Sequence, residues 1–241
     1  MDTNKYIPTV EAIEKASGVL EEILEPTPFQ KNQNLSDIYE ANIFLKREDL
    51  QMVRSYKIRG AYNKIRTINP ELVKNGIVCA SAGNHAQGVA FSCNKLQIVG
   101  SIFMPTTTPK QKIEQVRMFG KEYIDIVLTG DTFDAANSAA IEFAKKSGRT
   151  FIPPFDDPKV MEGQGTIGKE ILEQTKEKLD YIFVPIGGGG LASGLGSYIK
   201  AMSPETKIIG VEPGGALCMK SAIENGSPIE LEEIDKFVDG A

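Results

Sequence analysis

Short apolar segments alternate with segments of helical pattern along almost the whole chain of 241 residues. Several apolar segments are hydrophobic at nearly every position, which is typical of strands covered by helices on both faces. Strands that alternate with helices in this way form mostly parallel sheets. The predicted fold is therefore α/β, with mostly parallel open sheets flanked by helices, and the predicted strands are 42–46, 77–80, 98–104, 123–128, 150–152, 181–185 and 207–211.

Predicted helices lie between these strands and start near residues 56, 84, 109, 131, 164 and 191. The third has Thr108 as its expected N-cap and Pro109 at its first position, and Gly148 closes the fourth. The segment FIPPFDDP (151–158) holds three prolines in eight residues and predicts a crossing between two lobes. We expect 47–150 to form a smaller lobe, and 1–46 with 151–241 to form a larger one. The last residues, KFVDGA, resemble the start of a strand and turn.

Composition excludes several functional classes. The net charge is −5 and the pI is about 5.2, which argues against a nucleic-acid partner or an anionic membrane surface. No apolar run approaches the roughly 20 residues that span a bilayer, and the N-terminus lacks a signal-peptide pattern, so a cytoplasmic location is expected. The three cysteines lack metal spacing and are expected to be reduced core residues. With a single histidine, His85, a multi-histidine metal site is ruled out, and no metal is predicted.

Four consecutive glycines follow the apolar strand in Tyr181–Gly194, YIFVPIGGGGLASG, and a helical pattern comes next. Glycine lets a ligand approach the backbone closely, and the N–H groups of a helix start favour a phosphate. Gly187, Gly189 and Ala192 also fit the dinucleotide pattern G-x-G-x-x-A, and Glu212 closes the next strand where a ribose-binding acid would lie. The motif predicts a bound phosphate and leaves its carrier open.

The segment SAGNHAQG (81–88) follows a second apolar strand and opens a helix. Small residues and Asn84 at a helix start can form a nest of N–H donors that suits a carboxylate or a second phosphate. Taken alone, Asn84 could equally be an N-cap, and His85 an ordinary polar residue.

Lys57 lies in SYKIRGAY (55–62) at the start of a predicted helix that Ser55 can cap. A lysine at the positive end of a helix is destabilised as a cation, and Arg54 and Arg59 add positive charge nearby. A lysine that loses its proton easily is a nucleophile that forms Schiff bases, although most lysines are simply exposed charges.

One small cofactor would account for all three motifs. Pyridoxal phosphate carries an aldehyde for Lys57 and a phosphate for the glycine run, and its amino-acid substrate brings a carboxylate for the SAGNH turn. A dinucleotide accounts for the glycines and Glu212 but leaves the other two motifs unexplained.

Five segments together resemble the threonine dehydratase (threonine ammonia-lyase) family, a group of fold-type II pyridoxal-phosphate enzymes similar in fold to the tryptophan synthase β subunit. The resemblance runs in order from Pro26 to Ala241. The segments are EDLQMVRSYKIRGAY, SAGNHAQGVA, MPTTTPKQKIEQVRMFG, GQGTIGKEI and PIGGGGLASG.

The resemblance implies a role for each site residue. Lys57 would form a Schiff base with the cofactor and move the Cα proton. Tyr56 would lie beside the cofactor ring, where the family usually has phenylalanine, and Asn84 would bond the phenolic oxygen. The substrate carboxylate would be surrounded by Ser81, Gly83, Asn84 and His85. The phosphate would be held by backbone N–H groups of Gly187, Gly188, Gly189, Gly190 and Leu191.

The implied reaction is β-elimination from L-threonine to 2-oxobutanoate and ammonia, with L-serine as a secondary substrate. The GGGGL and SAGNH loops are of the dehydratase form rather than the sulfhydrylase form. Ala82 stands where serine racemases of this family have a serine that acts as an acid on the far face of the substrate. Cys218 stands where their metal site has a carboxylate. A serine racemase, a sulfhydrylase-like enzyme, a dinucleotide-binding oxidoreductase and an inactive binding module stay as alternatives.

The resemblance also implies a homodimer or homotetramer that acts in amino-acid metabolism. Biosynthetic members serve isoleucine biosynthesis and add a regulatory domain that binds isoleucine. The family's partner for the pyridine nitrogen falls beyond residue 241, so the chain is expected to be about the first two-thirds of a catalytic domain.

Overall fold

The computed structural model describes residues 6–231 and residue 235. Within them the chain forms ten α-helices and eight strands. The helices are α1 (Val10–Leu20), α2 (Gln33–Tyr39), α3 (Lys57–Thr67), α4 (Pro70–Val73), α5 (Asn84–Leu96), α6 (Lys110–Gly120), α7 (Phe133–Ser147), α8 (Pro158–Gln174), α9 (Gly190–Met202) and α10 (Cys218–Asn225). The strands are β1 (Phe29–Lys31), β2 (Phe44–Lys46), β3 (Ile77–Ala80), β4 (Gly100–Met104), β5 (Ile124–Leu128), β6 (Thr150–Phe151), β7 (Tyr181–Pro185) and β8 (Lys207–Val211).

The strands form one four-stranded sheet and two pairs. The four-stranded sheet has the order β5-β4-β3-β6 and is parallel throughout, with Ile77 opposite Gly100. Strands β7 and β8 are also parallel, with Tyr181 opposite Lys207, whereas the short pair β1–β2 is antiparallel. The predicted α/β class with mostly parallel sheets is confirmed. The sequence patterns missed β1 and the helices α1, α2, α4 and α10.

The four-stranded sheet is covered on both faces, which explains why β3 and β4 are buried at every position. Alternate residues of a strand point to opposite faces. Cys79 and Ile102 accordingly join a core cluster with α5 and α6, whereas Val78 and Phe103 pack against α7. The continuous apolar runs IVCA and GSIFM are therefore the expected sequence of a sheet between two helical layers.

Helix α8 packs against three other helices, α1, α3 and α9. Glycines allow these contacts. A Cβ added at Gly163 would lie 2.6 Å from the carbonyl oxygen of Arg59 and 2.8 Å from the Cα of Gly60, both in α3. A Cβ added at Gly165 would lie 3.1 Å from the carbonyl oxygen of Gly194 in α9. The two glycines of the GQG motif thus bring α3 and α9 close to one helix.

Helix boundaries show where local sequence signals decide the structure. Gly148 ends α7 in the left-handed conformation, as predicted. The predicted helix start near Gln164 is wrong, because α8 begins at Pro158, where Asp157 Oδ1 accepts hydrogen bonds from the next turn. Thr108 as the cap of α6 is also wrong. Its hydroxyl donates to the carbonyl of Pro105 instead, and Pro109 holds the N-cap position.

The segment 151–158 leaves β6 in the four-stranded sheet and ends at the first residue of α8. The partition into two lobes stays a prediction, and the predicted strand in KFVDGA lies outside the described residues. Cys79 and Cys93 are buried as predicted, but Cys218 is exposed at the start of α10, so the core assignment was wrong for that residue. No helix within the described residues is long and apolar enough to cross a membrane.

Candidate active site

Lys57 is the first residue of α3, and its side chain is largely enclosed. Its backbone N–H donates to Ser55 Oγ (3.0 Å), but the N-cap residue of α3 is Tyr56, so the prediction of Ser55 as the cap was wrong by one residue. Its amine donates to the carbonyl of Pro154 (2.9 Å) and lies 5.6 Å from the centre of the Tyr56 ring. Burial lowers the pKa of Lys57 to about 8, because an enclosed ammonium loses its hydration. The amine can therefore become neutral near physiological pH.

Arg54 and Arg59 are not the cause of the lowered Lys57 pKa, contrary to the prediction from the sequence. Arg59 is almost fully buried and bonds both Glu48 (2.8 Å) and Glu170 (2.6 Å), so two carboxylates offset its charge. Desolvation is the cause of the lowered Lys57 pKa, and Arg54 is an exposed residue. The expectation that nearby positive charge activates Lys57 is therefore wrong.

The glycine run connects β7 to α9 in a tight loop. Gly189 has a φ of +82°, a conformation that disfavours any side chain, and it is the N-cap residue of α9. A Cβ at Gly188 would overlap the Phe155 ring, and one at Gly190 would lie 2.9 Å from the Phe155 carbonyl oxygen. The loop needs consecutive glycines because it is pressed against Phe155 while its N–H groups remain at a helix start.

Lys57 and the glycine loop line one recess, which contains seven of the eight residues predicted to bind the cofactor. Its lining residues are Tyr56, Lys57, Pro154, Phe155, Gln164, Pro185, Gly187, Gly188, Gly189, Gly190 and Leu191. Four of these were not predicted from the sequence, namely Pro154, Phe155, Gln164 and Pro185. The FIPPFDDP segment and the GQGTIG motif were visible signals, but no spacing rule assigned them to the recess.

The SAGNH turn lies beside the Lys57 helix without lining the recess. A Cβ at Gly88 would lie 3.2 Å from the backbone of Lys57 and Ile58, so α5 approaches the start of α3 closely. Ser81 Oγ accepts the N–H of Gly83 (3.2 Å). Gly83 is the N-cap residue of α5 and Asn84 the first helical residue, so the N-cap interpretation of Asn84 was wrong. The exposed Asn84 leaves the turn open to a ligand.

His85 is buried, and its imidazole Nε2 lies 3.1 Å from the carbonyl oxygen of Ile152. Burial, together with the nearby Lys57 ammonium, lowers the pKa of His85 to about 3. The ring is therefore neutral at physiological pH. Any contact of His85 with an anion would come from its backbone N–H at the start of α5, where helical N–H groups lack intrahelical partners.

Glu212 is committed to a structural contact. Its two carboxylate oxygens accept the backbone N–H groups of Met219 (2.7 Å) and Lys220 (2.8 Å) at the first turn of α10. A carboxylate that caps a helix in this way is not free for a ribose hydroxyl. Glu212 was the residue that favoured a dinucleotide over another phosphate ligand, so the dinucleotide interpretation is weakened.

The recess fits pyridoxal phosphate by three of its own properties. A Cβ at Gly188, Gly189 or Gly190 would clash with Phe155 or Met219, so the loop keeps a bare backbone, and the amine of Lys57 has a pKa that allows condensation with an aldehyde. In addition, the buried Oε1 of Gln164 has no hydrogen-bond partner. Fold and site together define an enzyme class that binds a phosphorylated aldehyde through a lysine.

The chain belongs to the pyridoxal-phosphate dependent enzyme family, whose model matches residues 20–241. It is 58% identical over 232 residues to L-threonine dehydratase biosynthetic IlvA of Halalkalibacterium halodurans, covering 96% of this chain and 56% of that protein. In structure it is similar to the processed form of threonine deaminase isoform 2 from Solanum lycopersicum, with a TM-score of 0.90 and 43% identity over 97% of this chain and 65% of the other. It also resembles maize serine racemase, with a TM-score of 0.89 and 30% identity over 95% of this chain and 69% of the other.

The chain thus spans just over half the length of the curated relatives that it matches. Pyridoxal phosphate is the cofactor of this family, as predicted, and the fold-type II architecture is confirmed.

Proposed function

We propose that the protein containing this chain is a lyase that uses pyridoxal phosphate to convert L-threonine to 2-oxobutanoate and ammonia, with L-serine as a secondary substrate. The observation that carries the proposal is the single recess shared by the Lys57 amine and the glycine loop. The 58% identity to a protein named L-threonine dehydratase supports threonine as the substrate. The reaction balances, since one water leaves with the β-hydroxyl and one water replaces the amino group.

Lys57 is the proposed catalytic base. Bound pyridoxal phosphate supplies an aldehyde that condenses with amines and a ring that takes up the electron pair left at Cα. With a pKa of about 8, about a tenth of the Lys57 amine is neutral at pH 7, and a base with a pKa near the working pH transfers protons efficiently. In the cofactor-free protein the carbonyl of Pro154 accepts a hydrogen bond from the Lys57 amine and so orients it at the N-terminal end of α3.

The turn at residues 81–85 is the proposed carboxylate site. Its N–H groups lie at the start of α5, whose partial positive charge favours an anion. Asn84 is the exposed first residue of α5, a helix that contacts the start of α3 through Gly88, and its side chain is proposed to contact both the substrate and the cofactor's phenolic oxygen. The neutral imidazole of His85 adds no charge, so the turn binds a carboxylate through backbone groups and the hydroxyl of Ser81.

Racemisation is the competing reaction of the same fold. The residue after Ser81 is Ala82, whose methyl group packs against the core cluster of the four-stranded sheet and offers no acidic proton. A racemase needs an acid on the face opposite Lys57, so elimination is the function that these residues favour. The loop sequences favour elimination over sulfhydrylation, and the engagement of Glu212 weighs against a dinucleotide enzyme.

The wider setting is proposed by analogy with the relatives. The enzyme acts in the cytoplasm as a homodimer or homotetramer and takes part in amino-acid metabolism, specifically isoleucine biosynthesis. Residues 1–46 and 151–241 form the larger lobe that binds the cofactor, and 47–150 form the smaller lobe that carries the carboxylate turn.

The test uses the full-length native protein. The wild type should show the near-visible absorbance of lysine-bound pyridoxal phosphate and release 2-oxobutanoate from L-threonine. Lys57→Ala should lose both, whereas the exposed Lys15→Ala serves as the matched control and should keep both. A colourless wild-type protein would refute the cofactor site. Incorporation of sulfide into O-acetylserine without release of 2-oxobutanoate would show that the enzyme is a synthase and not a dehydratase.

A further inference from the structure

The GQGTIG motif places Gln164 between two helix contacts that the reaction depends on. Gly163 faces α3, which begins with Lys57, and Gly165 faces α9, which begins at the glycine loop. Gln164 itself contacts α3, because a Cβ at Gly60 would lie 2.5 Å from its Nε2 atom. The amide therefore lies where the elements carrying the lysine and the glycine loop converge on α8.

The Gln164 side chain is buried but incompletely satisfied. It is 1% exposed, and its Oε1 atom has no hydrogen-bond partner. Leaving a buried polar atom without a partner costs about 1–3 kcal/mol. Gln51 Nε2 is the only other buried side-chain atom without a partner in the described part of the chain, and Gln51 does not line the recess. The unpaired Oε1 needs a reason, and a ligand in the recess would supply one if it donates to Oε1 or accepts from an N–H of the turned-over amide.

The chemistry of the lining narrows what Gln164 can contact. Among the lining residues only Tyr56, Lys57 and Gln164 have polar side-chain atoms. Lys57 is assigned to the aldehyde, and the ring of Tyr56 has the Lys57 amine 5.6 Å from its centre. A side-chain amide carries two N–H donors and one acceptor on a group that can turn over, so it can present N–H to an anion without adding charge.

We propose that the side-chain amide of Gln164 is a further ligand of the recess and donates a hydrogen bond to the phosphate group held by the glycine loop. This inference rests on the proposed pyridoxal-phosphate site. The loop supplies backbone N–H groups on one side of the phosphate, and Gln164 supplies a neutral side-chain donor from α8. The bond requires the amide to turn over, so that an N–H group takes the position of the unpaired Oε1; the phosphate then accepts a charge-assisted hydrogen bond at that position.

Gln164→Met gives effects of opposite sign on stability and on cofactor binding. Methionine has a similar shape and no polar amide, so the cofactor-free protein should melt at a higher temperature. The dissociation constant for pyridoxal phosphate should rise roughly 10- to 100-fold, the range of a lost hydrogen bond to a charged group. The affinity for pyridoxal, which lacks the phosphate, should stay unchanged. Both measurements use the full-length protein, with binding followed by absorbance.

Two further variants complete the test. Gln51→Met removes the other unpaired buried amide, so it should also raise the melting temperature while leaving the pyridoxal-phosphate affinity as in the wild type. Gln164→Glu faces the phosphate with a carboxylate and should bind the cofactor more weakly than Gln164→Met.

The two proposals fail in different ways. Wild-type protein that binds no pyridoxal phosphate would refute the proposed function. Wild-type protein that binds it, with Gln164→Met or Gln164→Glu binding equally well, would overturn the role of Gln164 alone. A Gln164→Met variant that loses affinity for pyridoxal and pyridoxal phosphate alike would also overturn the phosphate contact.

Discussion

Replacing Gly194 by alanine should force α9 away from α8 and disturb the glycine loop that begins α9. A Cβ at Gly194 would press on the carbonyl oxygen of Met161 and lie 2.7 Å from the backbone nitrogen of Gly165. These are backbone atoms within a helix, so no side-chain rotation relieves the overlap. To restore an ordinary contact of 3.4 Å, α9 must move by about 0.7 Å for the Gly165 nitrogen and by about 1.3 Å for the Met161 oxygen, which is the closer of the two.

The magnitude follows from two opposing terms. Alanine in place of glycine stabilises a helix by about 1 kcal/mol, because the unfolded chain loses less freedom on folding. Forcing an extra methyl group into a packed contact costs about 1–3 kcal/mol. Gly194→Ala should therefore lower the free energy of unfolding by about 0–2 kcal/mol. Since the recess is formed in part by the first turn of α9, cofactor affinity should fall as well.

Gly196→Ala is the matched control on the same helix. A Cβ at Gly196 would meet no atom within 4 Å, so only the helix term applies and the variant should gain about 0.5–1 kcal/mol. Urea unfolding of the cofactor-free proteins measures both variants, and absorbance titration measures cofactor binding. Gly194→Ala and Gly196→Ala with equal stabilities would refute the argument that α8 and α9 are in backbone contact.

Two further predictions concern buried charges. Lys57→Met should make the cofactor-free protein about 3 kcal/mol more stable at pH 7, because the unfolded lysine holds its proton up to about pH 10.5 and the folded one only to about pH 8. Between these two pH values the folded state binds fewer protons than the unfolded state, so the stability of the wild type rises with pH. The stability difference between Lys57→Met and the wild type should therefore shrink from pH 8 to 10.5. A stability difference independent of pH would refute the desolvation of Lys57. Arg59→Met leaves Glu48 and Glu170 without their shared cation and should cost about 3–5 kcal/mol in urea unfolding. The exposed pair of Arg117 and Glu114 provides the control, since Arg117→Met should change stability by less than about 1 kcal/mol. Equal losses of stability in Arg59→Met and Arg117→Met would contradict the assignment of Arg59 to a buried network.

The four-stranded sheet could be predicted because burial on two faces leaves a direct trace in the sequence. Strand β3 was predicted at its observed boundaries, since it is an apolar run buried at every position. Strand β7 was also predicted at its observed boundaries from an apolar run that ends at a proline, although Tyr181 and Phe183 within it are exposed. Strand β1 escaped because only three residues pair and two of them are exposed, so no apolar run marks it. Helix α8 was predicted to start too late because its first turn contains a proline, which is compatible with a helix only at this end.

The site could be predicted only where a residue's own chemistry restricts its use. Lys57 and the glycines were found because a nucleophile and a side-chain-free loop are needed at fixed places. Phe155 and Gln164 were missed because their roles depend on which helices touch, and that information is absent from local spacing. The activation of Lys57 was assigned to the wrong cause for the same reason, since the sequence places Arg59 two residues away but does not show its two carboxylate partners.

The pairing of Arg59 has a consequence for how Lys57 and a phosphate would affect one another. Behind the start of α3, the buried network contains Lys46 and Arg59 as cations with Glu48 and Glu170 as anions, so its formal charges cancel. The Lys57 amine therefore lies in surroundings without net charge from that side, and its pKa reflects burial alone. A dianionic phosphate in the recess would then be the largest nearby charge and would raise that pKa. Because such coupling is reciprocal, protonation of Lys57 would in turn favour the phosphate, and the lysine would then have to lose that proton before its amine could condense with an aldehyde.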